Sequence, residues 1–290
     1  MDIRPECVPC LMKRVLFQAE LANNGTEFDA LKEAMKVFSA EFKEGVNSAE
    51  VATKVHTAAY NAMNLKDPYI ELKLRADEVA EKYMNAAERY ISSSADPIRA
   101  AILVASIGNI MDFGLKEAIS DPDQFGGKFK DMMDQGIGHD DSETIKEILS
   151  DASSVIYIFD NCGESQLDKL LIRRIRAAGT KVIGVVRGEP ILNDVALSDA
   201  IRTGLDKEVD KMFTTSEFRI GLKLENLSED LKKEITSASL MIAKGMANFE
   251  ALSDQKVPIP VAYILRSKCA PVADALGVPI GINVVKVRMP

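Results

Sequence analysis

A turn rich in acid and amide side chains follows one apolar stretch near the middle of the chain. Residues 155–159 read Val-Ile-Tyr-Ile-Phe, which is typical of a buried strand, and Asp160 and Asn161 follow directly, with Glu164 just beyond a glycine. In an open parallel sheet, ligands bind in the crevice at the carboxyl ends of the strands. Carboxylate and amide oxygens suit hard divalent cations such as Mg²⁺ or Mn²⁺ rather than zinc. The pattern therefore predicts a divalent-metal site with Asp160 and Asn161 among its ligands.

A second acidic position follows the next apolar stretch. Residues 181–186 form another predicted strand, which leads through residues 190–192 to Asn193 and Asp194. We expect the two strand ends to converge on one metal. The alternative for each turn is ordinary capping chemistry, because Asp and Asn accept hydrogen bonds from free backbone N–H groups and Gly tolerates positive φ. The repeated order of strand and then acid favours the metal site.

The elements that must position these residues change in kind along the chain. The amino-terminal part has apolar residues at three- and four-residue spacing, which predicts an all-helical bundle or cap domain over residues 1–95. Its expected helices cover residues 10–21, 28–42, 48–64 and 69–90.

The remainder, residues 96–290, has the pattern of an α/β domain. Asp96 and Pro97 are typical of an N-cap and a first-turn proline, and they predict a helix that continues through Ile110. Residues 121–141 carry several glycines and are expected to form a long irregular joint. Strands and helices then alternate, which predicts an α/β fold of three layers, a sheet with helices on both faces. The expected strands lie near residues 154–159, 181–186, 209–214, 238–243, 259–265 and 282–287.

Composition and charge narrow the class of protein. The chain has 290 residues, enough for a substantial core, and a net charge of −8, which argues against nucleic acid as the main partner. Its apolar runs are far shorter than the roughly 20 residues of a membrane span, and its amino terminus lacks the apolar core of a secretory signal. Four cysteines do not make a disulfide framework. We therefore expect a cytoplasmic protein with no membrane partner.

Short motifs spread in order along nearly the whole chain resemble a known family. The motifs are Asp160 to Glu164, Asp168, Pro190 to Asp194, Ala243 to Glu250, and Lys268 with Cys269. Together they are similar to the landmarks of the damage-control phosphatases, also called domain of unknown function 89. Residues 6–10 (Glu-Cys-Val-Pro-Cys) and 107–114 (Ile-Gly-Asn-Ile-Met-Asp-Phe-Gly) resemble the prokaryotic, CxxC-bearing branch of that family.

The resemblance implies an enzyme, a metal-dependent phosphatase that hydrolyses small phosphomonoesters. Sugar phosphates or damaged phosphometabolites are the implied substrates. The implied cofactor is a divalent ion, Mn²⁺, Co²⁺, Ni²⁺ or Mg²⁺, held by Asp160, Asn161 and Asp194. The attacking group is either a metal-bound water or the Asp160 carboxylate itself.

Lys268 is the candidate for binding the phosphate. It stands between a predicted strand and a helix that begins near Ala270, and anions are favoured at the amino end of a helix. Family members carry Arg-Thr-Xaa-Lys at this point, whereas this chain departs from the pattern with Arg266, Ser267 and Lys268. Two further candidates, Asn109 and Asp112, are expected on one helical face. The predicted substrate-binding residues are Glu164, Asn109, Asp112, Lys244 and Asn248.

Cys7 and Cys10 form a CxxC motif whose role the residues leave open. A redox dithiol is one interpretation, because a CxxC at a helix start lowers a thiol pKa. A zinc site is another, but it needs about four ligands. The alternative to an enzyme is a non-catalytic metal- or redox-responsive binding protein centred on Cys7 and Cys10. The further ligands available to such a centre are Cys162, for which packing is the favoured role, with Cys269, His56 and His139.

Overall fold

A mostly parallel sheet forms the centre of the computed structural model, which describes residues 1–112, 124–215 and 217–290. Its strands are β1 (His139–Asp140), β2 (Ser154–Ile158), β3 (Lys181–Val186), β4 (Lys211–Thr214), β5 (Leu240–Lys244), β6 (Val261–Arg266) and β7 (Asn283–Arg288). The seven strands lie in the order β1-β7-β6-β5-β2-β3-β4. The pairing of β6 with β7 is antiparallel, and the other pairings are parallel.

Side chains of the central strand β2 alternate between two core clusters, one on each face of the sheet. Val155 and Tyr157 belong to the first cluster, and Ile156 and Ile158 to the second. The first face is covered by α5 (Pro97–Gly108), α6 (Phe125–Gln135), α7 (Ser142–Ser150), α8 (Glu164–Ala177) and α9 (Leu197–Thr203). The second face is covered by α10 (Glu229–Ser237), α11 (Gly245–Leu252) and α12 (Ala270–Leu276). The predicted three-layer α/β architecture is confirmed.

The amino-terminal helices occur where the apolar spacing predicts them. They are α1 (Cys7–Ala22), α2 (Glu27–Glu41), α3 (Ser48–Met63) and α4 (Ile70–Ser93). Helices α1 to α3 share a third core cluster with Leu192 and Ile220 of the α/β part, whereas α4 buries Ala76 and Ile91 in the same cluster as α5 and α8. The domain boundary at residue 95 stays a prediction. Among the described helices, none is long and apolar enough to cross a bilayer.

The predicted irregular joint over residues 121–141 was wrong for most of its length. Residues 121–123 lie outside the described ranges, but α6 and the short strand β1 occupy much of the rest. Helix α6 forms because Phe125, Phe129 and Met132 recur at helical spacing and are buried. Gly126 permits close packing of the helix, since a Cβ at this position would lie 1.8 Å from the Tyr83 hydroxyl of α4.

Helix α5 begins at its predicted proline, behind a capping aspartate, but it ends early. It stops at Gly108 rather than Ile110. Beyond Gly108 the backbone hydrogen bonds span three residues instead of four, and Met111 N donates to Gly108 O at 3.0 Å. The expectation that Asn109 and Asp112 share a helical face was therefore wrong. Both residues lie beyond the helix, in the segment that leads toward the ends of the parallel strands.

Candidate active site

The carboxyl ends of β2 and β3 come together as the strand-then-acid pattern predicts. The two strands are parallel neighbours. Asn161 and Asp194 pair as an antiparallel bridge, and Val195 N donates to Asp160 O at 2.8 Å. Asp160, Asn161 and Asp194 therefore lie side by side at the edge of the sheet where ligands bind in open parallel sheets.

The two oxygens of the Asp160 carboxylate differ in their hydrogen bonding. Oδ2 accepts hydrogen bonds from Asn161 Nδ2 at 2.7 Å and from Asn109 Nδ2 at 3.1 Å. Oδ1 is buried, and no hydrogen-bond partner for it occurs among the described residues. Arg187 Nη2 is 4.0 Å away. A buried carboxylate oxygen without a hydrogen bond is costly unless a ligand completes its shell.

Burial and neighbouring negative charge both act on these acids. Burial, reinforced by the carboxylates of Asp194 and Glu164, raises the pKa of Asp160 well above its usual range. Burial also raises the pKa of Asp194, although the charge of Arg187 opposes this. Arg187 Nε donates to Asp194 Oδ2 at 2.7 Å. A cation beside both carboxylates would keep them ionised.

The donor set fits a hard divalent cation, with a small number of protein ligands. Asp160 offers Oδ1, which no described residue hydrogen-bonds, and Asp194 and Asn161 add a carboxylate and an amide. Asn161 Oδ1 accepts a hydrogen bond from Asn193 Nδ2 at 2.8 Å. In the described ranges, no three His, Cys, Asp or Glu side chains converge closely enough to hold a metal. The predicted set of two carboxylates and one amide would leave the remaining positions to substrate and water, as Mg²⁺ commonly does.

A buried ionic network lies behind these residues. Lys244 Nζ donates to Glu164 Oε1 and to Asp168 Oδ1, each at 2.6 Å, and all three side chains are fully buried. Glu164 Oε2 in turn accepts from Asn109 Nδ2 and Asn161 Nδ2, each at 2.9 Å. Lys244, Glu164 and Asn109 therefore fix the orientation of the Asp160 turn from behind.

The turn opens into a cavity of about 200 Å³ between α1 and α3 on one side and the strand ends on the other. Of the predicted site residues, Asp112, Asp160, Asn161 and Asp194 line it. Its apolar wall consists mainly of Ile3, Leu11, Leu192, Ile220 and Met246. The other predicted site residues lie outside the lining, namely Glu164, Asn109, Lys244, Asn248 and Lys268.

Lys268 does not line the cavity but contacts Asp112, which does. Its Nζ donates to Asp112 Oδ2 at 2.7 Å and to Asn109 O at 2.8 Å. The other carboxylate oxygen of Asp112 accepts from Arg14. Burial alone would raise the pKa of Asp112, but the charges of Arg14 and Lys268 lower it below its usual value. Asp112 therefore remains an anion that holds two cations.

Asn248 acts on Arg187 rather than on the cavity. Asn248 Oδ1 accepts from Arg187 Nη2 at 3.2 Å, and Asn248 Nδ2 donates to Lys244 O at 2.7 Å. Arg187 Nη1 also donates to Gly221 O at 3.0 Å. The guanidinium that orients Asp194 is therefore held from several sides.

The CxxC motif shares this cavity. Cys7, Cys10 and Cys269 all line it, and all the cysteines of the chain are free thiols. Burial raises the pKa of both Cys7 and Cys10, so the helix start does not make them thiolates. Cys162 is fully buried and packs in the core behind the turn. Cys7, Cys10 and Cys269 thus line the same cavity as the acids.

One glycine gives the Asp160 carboxylate its room. Gly245, at the start of α11, has a φ of +75°. A Cβ there would lie 1.8 Å from Asp160 Oδ2 and 2.9 Å from Asn109 Nδ2. Only glycine permits this close approach of backbone to carboxylate.

The sequence interpretation missed two arginines that contact the predicted acids. Arg187 follows β3 directly, in the same strand-end context as the acids, and that position is a usable signal. Arg14 lies on α1, one helical turn beyond Cys10 and therefore on the same face as the CxxC. Its contact with Asp112 joins distant parts of the chain and leaves no local pattern.

A sheet of this topology, with buried acids and a cation-bearing cavity at its strand ends, defines an α/β enzyme with a site for small charged ligands. The sequence profile of the damage-control phosphatase ARMT1-like domain matches residues 3–284. The chain therefore belongs to that family, as the ordered motifs predict, and it is a phosphatase, a hydrolytic enzyme.

Relatives from archaea cover nearly the whole chain. A protein of Archaeoglobus fulgidus named damage-control phosphatase is 35% identical, and the alignment covers 99% of each chain. A damage-control phosphatase of Pyrococcus horikoshii is 29% identical over 97% of this chain and 96% of its own. The crystal structure of a DUF89 family protein from Pyrococcus horikoshii superimposes with a TM-score of 0.86, at 29% identity and 98% coverage of both chains.

Proposed function

We propose that the enzyme hydrolyses small phosphomonoesters with a divalent metal ion held by Asp160, Asn161 and Asp194. The observation that carries this proposal is the buried Oδ1 of Asp160, which accepts no hydrogen bond from the described residues; Asp160 and Asp194 both line the cavity. A bound ion would polarise the phosphoryl oxygens and neutralise their charge.

The residues of the chain have distinct parts in this proposal. Asn109 and Asn161 donate hydrogen bonds to Oδ2 of Asp160, which leaves Oδ1 to bind a ligand. We assign that oxygen to the metal, and water to the attack on phosphorus. The competing route, in which Asp160 itself is the nucleophile, predicts a phosphorylated enzyme that acid quenching of a single turnover would trap.

The cavity supports a small substrate. Its volume of about 200 Å³ and its apolar wall suit a compact phosphorylated metabolite. Sugar phosphates and damaged phosphometabolites stay the predicted substrates. The choice among Mn²⁺, Co²⁺, Ni²⁺ and Mg²⁺ and the cytoplasmic location also stay predictions.

The test is hydrolysis of p-nitrophenyl phosphate with each metal, before and after chelation. We expect chelated enzyme to be inactive and readdition of metal to restore turnover. Asp160→Asn and Asp194→Asn should each lower kcat/KM by about 100-fold or more, since metal-mediated charge stabilisation contributes several kcal/mol. They should also weaken metal binding in calorimetry, whereas Asp151→Asn, at an exposed position, should change neither. Full activity without metal would refute the proposal.

A further inference from the structure

Helix α1 turns one continuous face toward the acids. Cys7, Cys10, Leu11 and Arg14 line the cavity together with Asp160. Cys10, Leu11 and Arg14 lie three, four and seven residues after Cys7, which places all four on one side of the helix. The CxxC motif and Arg14 therefore belong to one cavity-lining face of α1, with Arg14 one helical turn beyond Cys10.

Arg14 uses little of its hydrogen-bonding capacity on the described residues. It donates to Asp112 Oδ1, and in the described part of the chain its guanidinium has no other hydrogen-bond partner. A guanidinium carries further N–H donors in a fixed planar fork. The side chain is 12% exposed. Burial would lower the pKa of Arg14, but Asp112 outweighs this and raises it, so the charge is permanent.

Lys268, the cation that the sequence favours, is less accessible. Its side chain is 0% exposed. Its ammonium donates to Asp112 and to Asn109 O, and it does not line the cavity, whereas Arg14 does. Asp112 thus separates the two cations, with Arg14 on the cavity side and Lys268 behind.

We propose that Arg14 is the cation that contacts the phosphoryl group of the substrate, and that Lys268 acts behind it as a positioning residue through Asp112. This inference rests on the proposed phosphatase function. The planar guanidinium matches two phosphoryl oxygens at once, which a lysine cannot do. Asp112 holds the guanidinium in the cavity that Asp160 and Asp194 also line.

The competing explanation is that Arg14 only neutralises the buried charge of Asp112. Four variants separate the two explanations: Arg14→Gln, Arg14→Lys, Asp112→Asn and the double variant Arg14→Gln/Asp112→Asn. The matched control is Lys13→Gln, which removes a neighbouring positive charge from an exposed position of the same helix.

The measurements are kcat and KM for p-nitrophenyl phosphate with Mg²⁺, competitive inhibition by inorganic phosphate, and binding of inorganic phosphate by calorimetry. We expect Arg14→Gln to weaken phosphate binding and to raise KM by about 10- to 100-fold, as for loss of a charge-assisted hydrogen-bond pair. Arg14→Lys should lie between Arg14→Gln and the unmodified enzyme. Lys13→Gln should leave all these values unchanged.

The double variant decides between the explanations. If Arg14 contacts phosphate, Arg14→Gln/Asp112→Asn still binds phosphate about 10-fold or more weakly than Asp112→Asn, which has the same neutral side chain at position 112 but keeps the guanidinium. Equal phosphate binding by the double variant and Asp112→Asn would instead show that Arg14 only neutralises Asp112, and would overturn the inference.

Folding and the proposed function are controlled separately. Thermal unfolding is recorded for each variant, and if Arg14→Gln does not fold, the folded Arg14→Lys and the double variant carry the test. If the unmodified enzyme is active and the Arg14 variants bind phosphate normally, the role of Arg14 is refuted but the proposed phosphatase function is not. An unmodified enzyme with neither metal-dependent turnover nor phosphate binding refutes the proposed function as well.

Discussion

Gly245 bounds one side of the Asp160 carboxylate, and a single methyl group there would displace it. In Gly245→Ala, the new Cβ would lie 1.8 Å from Asp160 Oδ2 and 2.3 Å from its Cγ. Carbon and oxygen atoms do not approach so closely without a bond, so the carboxylate must move by about 1 Å or more. The substitution therefore perturbs the site with no change in charge.

The cost in stability has two parts. The φ of +75° at Gly245 is unfavourable for alanine by about 1–2 kcal/mol, and overpacking adds about 1–3 kcal/mol. Gly204 is a matched control, because its φ is +70° and a Cβ there would meet no atom within 4 Å. We expect Gly204→Ala to lose only the backbone part of the free energy of unfolding and to keep full activity.

The assay is urea unfolding together with kcat/KM for p-nitrophenyl phosphate, normalised to folded protein. A catalytic group misplaced by about 1 Å can lose about 100-fold in rate, so we expect a loss of that order in Gly245→Ala. If Gly245→Ala matched Gly204→Ala in both stability and activity, the close contact between the Gly245 backbone and the Asp160 carboxylate would be refuted.

Other variants and conditions test the buried charges. Lys244→Met leaves Glu164 and Asp168 buried without their cation and should lower the free energy of unfolding by about 3–5 kcal/mol, measured by urea unfolding. Burial lowers the pKa of His56 from 6.5 to about 3, so the folded state binds this proton less readily than the unfolded state. Stability should be complete above pH 6.5 and fall as the pH drops toward 3, by about 2 kcal/mol at pH 5. His56→Gln should flatten this dependence in thermal melts across pH. If the stability of His56→Gln depended on pH as steeply as that of the unmodified enzyme, the assignment to His56 would be wrong.

The sequence predicts features that depend on neighbours along the chain. The apolar strand before Asp160 and the second one before Asp194 are local patterns, and parallel pairing of β2 with β3 suffices to bring their ends together. The ordered motifs place the chain in its family. These features need no knowledge of how distant segments pack.

The features that the sequence did not predict come from packing between distant segments. The glycines of α6 predicted a loop, because the sequence alone does not show that Tyr83 packs against Gly126. The sequence predicts that Lys244 binds substrate, but its ammonium forms ion pairs with Glu164 and Asp168. Arg14 gains its importance only because α1 lies across the strand ends.

The many hydrogen bonds of Arg187 affect the entropy of binding. Its guanidinium is held by Asp194, Asn248 and Gly221 O within the folded chain. The rotational freedom of the Asp194 side chain is therefore lost on folding, and a ligand that binds there does not have to restrict it again. Affinity at this carboxylate is thus linked to the local stability of the segments around residues 221 and 248, although neither Gly221 nor Asn248 itself lines the cavity.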